Sequence, residues 1–322
     1  MPASTVEVTA PSRLHFGMFS FGQPNARQFG GVGVMVDRPG LKLRIVGADR
    51  FSVAGPLERR VQSTVERLVA AWQLRELPAC RIEVLDAPPE HVGLGTGTQL
   101  ALAVTAGANA FLGGEPLDAP ALASLAGRGG RSAIGSYGFV HGGFLVEGGK
   151  TGDETLSPLE YRVALPEAWR FVLVCSQGER GLWGEAERRV FGDLPPVPPA
   201  ITEQLRREVA DEMIPAAAAG QFERFSHSVY RFGRQAGMCF ARRQDGPFAS
   251  PRIARIVETI RDLGVGGVGQ SSWGPVVFAV LDSEQAACRL ADAVRKNLDP
   301  GDTLVAAKPN PTGARISLAA TR

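Results

Sequence analysis

Glycines at 93, 95 and 97, with threonines at 96 and 98, follow Glu90-His-Val and run into an alanine-rich stretch that begins at Gln99. Glycine lets the backbone approach a ligand closely and leaves several amide N–H groups exposed. Thr96 and Thr98 add hydroxyls, and a helix starting near Gln99 would aim the positive end of its dipole at the same turn. Together these features predict an anion site suited to phosphate or diphosphate. A glycine turn with a threonine cap would need fewer glycines and only one hydroxyl. The segment is not a Walker A loop, because no lysine occurs between Lys42 and Lys150. Nor does the chain show the repeated strand–helix order of a parallel dinucleotide fold.

The surrounding elements must hold this turn. Val6–Thr9 and 41–46 alternate apolar and polar residues as half-buried strands do, and 80–85 repeats the pattern. Val61, Val65, Leu68, Val69 and Trp72 share a helical face. Further helices are predicted at 119–126, 200–214, 219–242, 251–263 and 283–297, and strands at 144–147, 171–175, 275–281, 303–307 and 315–319. Pro195-Pro-Val-Pro-Pro interrupts regular structure. The polar, glycine-rich run from Gly148 to Thr155 is the expected boundary between an N-terminal domain, 1–155, and a C-terminal one, 156–322. Strands and helices mix in both halves, so the class is α+β.

The chain has 322 residues, 44% of them hydrophobic, which is enough for two cores and argues against disorder. A net charge of +2 gives no support to a nucleic-acid partner. The four cysteines are widely spaced and read as reduced thiols, no apolar run is long enough to span a membrane, and the N-terminus lacks a signal-peptide pattern. The expected compartment is the cytoplasm.

Three segments, in order, resemble the signature motifs of the GHMP kinases: Ala10-Pro-Ser-Arg-Leu-His-Phe-Gly, His91-Val-Gly-Leu-Gly-Thr-Gly-Thr and Gly266-Gly-Val-Gly-Gln-Ser-Ser-Trp-Gly-Pro. Their wording is similar to one branch, the β-ribofuranosylaminobenzene 5′-phosphate synthases. The resemblance implies the two-domain GHMP-kinase fold: an N-terminal ribosomal-protein-like domain with a left-handed crossover and a C-terminal ferredoxin-like domain. It also implies a reaction, the joining of 4-aminobenzoate to phosphoribosyl pyrophosphate with loss of CO2 and pyrophosphate, on the way to tetrahydromethanopterin-type cofactors. Many of the kinases place an aspartate shortly after a Ser-Gly turn to activate a substrate hydroxyl. The matching stretch here, Arg131-Ser-Ala-Ile-Gly-Ser-Tyr-Gly-Phe-Val-His, holds no carboxylate before Glu147. An ATP-dependent small-molecule kinase and a non-catalytic phosphometabolite-binding protein are the competing readings.

Under that resemblance, Ser12, Arg13, Gly93, Gly95, Thr96, Gly97, Thr98, Gln99, Arg131 and Ser132 are candidates for holding phosphate, diphosphate or carboxylate. Gln270, Ser271, Ser272 and Trp273 form a polar turn whose indole either stacks on the aromatic substrate or packs the seam between domains. His15 and His141 are candidates for positioning substrate or moving a proton, with His91 beside the loop as an assistant; each is open equally to a packing role. Asp37 either holds a metal or ribose hydroxyls, or caps the Arg38-Pro-Gly turn. Mg2+ is expected to arrive with the pyrophosphate, its ligands unassigned; ATP is not expected. Small-molecule substrates and a homodimer complete the expected partners, without nucleic acid or membrane.

Overall fold

The computed structural model describes residues 5–319, apart from Asn25, Leu77, Asp153, residues 177–180, Leu182, Trp183 and Asp245, and the side chains of 184–188. Along the chain run β1 (Thr5–Ser20), β2 (Phe29–Gly47), β3 (Ser52–Ala54), α1 (Glu58–Ala71), β4 (Cys80–Asp86), α2 (Thr96–Phe111), α3 (Ala119–Ala126), α4 (Ile134–His141), β5 (Phe144–Glu147) and β6 (Leu159–Val163). There follow β7 (Arg170–Cys175), α5 (Gly184–Asp193), α6 (Pro199–Arg207), a π-helical turn Glu208–Met213, α7 (Ile214–Ala219), α8 (Phe222–Met238), α9 (Ala241–Gln244) and α10 (Pro251–Asp262). The order closes with β8 (Gly267–Gln270), β9 (Val277–Leu281), α11 (Glu284–Arg295), β10 (Thr303–Ala307) and β11 (Arg315–Ala319).

Seven strands form the first sheet, in the order β11-β1-β2-β4-β3, with β5 also on β2 and β6 on β5. The second has four antiparallel strands in the order β10-β7-β9-β8. Its β7–helices–β8–β9–α11–β10 succession is the split βαβ pattern of a ferredoxin-like domain. β6 lies beyond residue 155 yet belongs to the first sheet, and so does β11, so the two sheets do not divide the chain at one point.

The long first strand serves two cores. Val6, Val8 and Ala10 pack with α1 and α2; Leu14, Phe16 and Phe19 pack with the second sheet and α8. The change falls at the register shift between Ala10 and Ser12, where β2 carries the extra residues 37–40. Such an irregularity re-aims side chains that strict alternation would leave on the wrong face. α2 is buried on nearly every side, which explains its alanines: small side chains let β1, α1 and α3 close around it. Phe16 stacks on Phe278 of β9 at 4.9 Å between centroids, and Phe144 meets Phe225 of α8 edge-on at 5.5 Å. The two sheets therefore share one apolar seam. Among the described residues, no helix is long and apolar enough to cross a membrane.

Candidate active site

The three glycine- and serine-bearing segments meet at one crossing. Ser271 is fully buried and ties it: the His15 N–H donates to Ser271 Oγ at 3.0 Å, and that hydroxyl donates to the Gly93 carbonyl at 2.7 Å. Around it the Arg13 N–H donates to the Leu94 carbonyl, Ser272 N–H to the His15 carbonyl, and Val276 N–H to the Val92 carbonyl, at 3.0–3.1 Å. One bulged strand thus receives the glycine loop and the C-terminal turn side by side on the edge that β2 leaves free. The sequence offered Ser271 as a ligand contact; the structure gives both its hydrogen-bonding roles to the crossing.

The loop ends in Gly95, which takes a left-handed conformation (φ 72°) at the N-cap of α2 and offers no side-chain cap to the helix. The first N–H groups of α2 are therefore left to solvent or ligand, as an anion seat requires. Arg13 lies directly over this glycine: a methyl group placed there would come 3.3 Å from Arg13 Nε. The Thr96 hydroxyl donates to the Pro89 carbonyl at 2.9 Å, fixing the loop's entry. Buried Gln99 donates to the Gly135 carbonyl at 2.9 Å, joining α2 to the start of α4, and Thr98 sits beside the same glycine. Gly97 faces the guanidinium groups of Arg60 and Arg128, two residues that sequence reasoning passed over.

His15 lines a small cavity with Phe16, Phe240, Phe248, Gln270 and Trp273. Its Nε2 is buried and has no hydrogen-bond partner among the described residues. Burial first, and then the nearby charge of Arg13, push its pKa down to about 3. The imidazole is thus neutral at physiological pH. Trp273 packs edge-on against Phe240 at 4.8 Å and Phe191 at 5.8 Å, so its ring is a wall of an aromatic cluster at the seam. Gln270 braces that wall, accepting from Ala249 N–H and donating to the Ser272 carbonyl.

The lowered pKa has a consequence for stability. Below about pH 6.5 the unfolded chain protonates His15 while the folded chain does not until about pH 3, so stability contributed at neutral pH is lost as pH falls between these values. The slope is at most about 1.4 kcal/mol per pH unit. Denaturant midpoints at pH 7 and 4.5 should fall less for His15→Gln than for the wild type. Equal falls would mean that His15 titrates normally in the folded chain.

Other candidates are placed elsewhere. The Asp37 carboxylate accepts from the Lys308 N–H at 2.7 Å and lies by Arg38, so it ties β2 to a distant segment. Ser12 donates to the Pro39 carbonyl at 2.6 Å in that same irregular turn. His141 is exposed at the far end of α4, 6.4 Å from the Tyr137 ring. Arg131 lies over the Phe191 ring at 5.6 Å, at the edge of the aromatic cluster. Ser132 donates to Glu147 at 2.6 Å, and the Ala133 N–H reaches the other carboxylate oxygen at 2.8 Å. Glu147 thus returns through β5 to the stretch that lacks a carboxylate in sequence. It is sealed from solvent and holds the start of α4, and burial pushes its pKa up against the pull of those hydrogen bonds. No group of three or more His, Cys, Asp or Glu among the described residues could hold a metal.

This architecture has counterparts. Residues 59–143 match the GHMP kinases N-terminal domain and 213–300 the GHMP kinases C-terminal domain. Homoserine kinase of Cytophaga hutchinsonii superposes with a TM-score of 0.70 at 17% identity, covering 98% of each chain. Mevalonate diphosphate decarboxylase of Staphylococcus aureus gives 0.68 at 16%, again over 98% of both. The fold is that of the GHMP proteins. Beta-ribofuranosylphenol 5′-phosphate synthase of Methanothermobacter thermautotrophicus is 30% identical over 92% of this chain and 94% of its own. The Archaeoglobus fulgidus protein of that name is also 30% identical, over 86% and 88%. The chain belongs to this family of synthases, enzymes on a kinase fold.

Proposed function

We propose that this enzyme transfers the ribosyl 5-phosphate group of phosphoribosyl pyrophosphate to the ring carbon of a para-substituted benzoate, with release of pyrophosphate and CO2. The observation that carries this reading is the glycine loop at the uncapped start of α2 with Arg13 laid across Gly95. It is an anion seat, and the 131–146 stretch carries no carboxylate of the kind that hydroxyl phosphorylation uses.

The chemistry agrees with that lack. The C1′–O bond breaks with its electron pair going to the diphosphate. The ring carbon bearing the carboxylate bonds to C1′, and the bond to the carboxylate then breaks, returning its pair to the ring as CO2 leaves. No proton is removed overall, so no general base is required for the net reaction. What the site must supply is stabilisation for the leaving diphosphate and a dry, oriented ring. The α2 N-terminus supplies the first, and Arg13 adds a cation for another anionic group of the substrates. Neutral His15, which lines the cavity, can hydrogen-bond the ring's para substituent, whose lone pair drives the attack. Mg2+ arriving with the donor would add positive charge to offset that of the diphosphate; among the described residues no group of three or more His, Cys, Asp or Glu would hold it.

The acceptor is 4-aminobenzoate, the precursor for a tetrahydromethanopterin-type product. The relatives are named for a phenol, which favours the hydroxy analogue as a second reading. Incubation with phosphoribosyl pyrophosphate and each acceptor in turn, following CO2, pyrophosphate and product mass, tests both. Pyrophosphate release dependent on one acceptor and independent of ATP is expected. ADP formation, or no decarboxylated riboside from either acceptor, would overturn the proposal.

A further inference from the structure

Arg60 and Arg67 lie seven residues apart on one face of α1, and Arg128 follows the left-handed Gly127 that closes α3. Arg60 and Arg128 reach the start of α2, and Arg67 reaches the end of α3 just before Arg128. A methyl group on Gly97 would come 3.2 Å from Arg60 Nη1 and 4.0 Å from Arg128 Nη2, and one on Gly127 would come 2.8 Å from the Arg67 guanidinium carbon. Arg60 also pairs with Glu90 and stands 3.3 Å from His91 Nε2. Arg128 is half-buried, and its Nε has no hydrogen-bond partner among the described residues. Burial, followed by the charges of Arg60 and Arg67, holds its pKa below the ordinary arginine value, with Glu90 opposing.

Such an arrangement is unfavourable in the empty protein. Like charges converge on the positive end of a helix dipole, with Glu90 the one carboxylate among the described residues that offsets Arg128. Solvated arginines on a helix face would splay apart; a half-buried guanidinium with a dry nitrogen does not fit that picture. A polyanion seated at the first turn of α2 removes the conflict.

We propose that Arg60, Arg67 and Arg128 seat the diphosphate of the ribosyl donor. Arg13, laid across Gly95 while Arg60 and Arg128 face Gly97, is left for a less charged group, the 5-phosphate or the acceptor carboxylate. The assignment rests on the reaction proposed above. It puts the densest positive charge where negative charge grows as the C1′–O bond breaks, the place where fixed charge lowers a barrier most.

The test uses inorganic pyrophosphate and ribose 5-phosphate as separate ligands in calorimetry, with the wild type, Arg128→Gln and exposed Arg67→Gln. Each substitution should weaken pyrophosphate by at least about tenfold and leave ribose 5-phosphate within about twofold. The ligand-free variants should melt no lower than the wild type, because a repulsion has been relieved. Unchanged pyrophosphate affinity in both variants would overturn the proposal, as would equal losses for the two ligands, which would assign the cluster to the 5-phosphate. Because binding is read without turnover, a wild type that binds pyrophosphate through these arginines but forms no riboside would sink the reaction and keep the seat.

Discussion

Gly274→Ala is expected to cut turnover by at least about a hundredfold and to cost about 1–3 kcal/mol of stability. An added Cβ would stand 2.1 Å from the carbonyl carbon and oxygen of Val92 and 2.2 Å from the Gly93 nitrogen. These are backbone atoms, so no side chain can swing away to make room. The 271–276 turn would have to lift from the loop, stretching the Ser271–Gly93 and Val276–Val92 hydrogen bonds. Since the same loop sets the start of α2, the anion seat moves with it. Gly47→Ala is the control, because a Cβ there meets nothing within 4 Å. Steady-state kinetics and thermal melts of the two variants would decide the matter. Normal turnover in Gly274→Ala would mean that the crossing does not set the geometry of the seat.

Gly95→Val should weaken donor binding sharply in a protein that still folds. Two effects coincide at this position. A β-branched residue at φ 72° is strained by about 1–3 kcal/mol, and its side chain would press on Arg13, already 3.3 Å from the first added carbon. Moving Arg13 or tilting the first turn of α2 withdraws cationic groups from the ligand. The KM for phosphoribosyl pyrophosphate is expected to rise by at least about tenfold, with circular dichroism unchanged. Tight donor binding by a folded Gly95→Val protein would reduce the loop to a connection.

The glycine loop was readable in the sequence because its meaning is local: glycine spacing, hydroxyls and a helix start lie within ten consecutive residues. The helical and strand periodicities were readable for the same reason. Arg60 and Arg67 were not, because on an amphipathic helix they look like any solvated charge; only the approach of α1 to Gly97 gives them a purpose. Arg128 was overlooked beside Arg131, the apparently better-placed arginine, which instead covers Phe191. Glu147 was seen as distant from Ser132, and a single tight return through β5 removes that distance. Asp37 gained its partner from Lys308, far away in the chain, which no local pattern announces. Residues whose roles are set by distant backbone are the ones that sequence spacing hides.

The strand that carries Arg13 and His15 is flanked by β2 on one side and, at Thr5–Thr9, by β11 on the other. During synthesis β1 and β2 can pair early, but the outer edge of β1 at Thr5–Thr9 has no neighbouring strand until residues 315–319 have been made. That edge presents unpaired N–H and C=O groups throughout, the kind of surface on which nascent chains stick to one another. Completing the first sheet also closes the largest loop the chain contains, a slow event in any topology built on distant pairings. Yield in the cell should therefore depend on what shields the outer edge of β1 while the rest of the chain is being made.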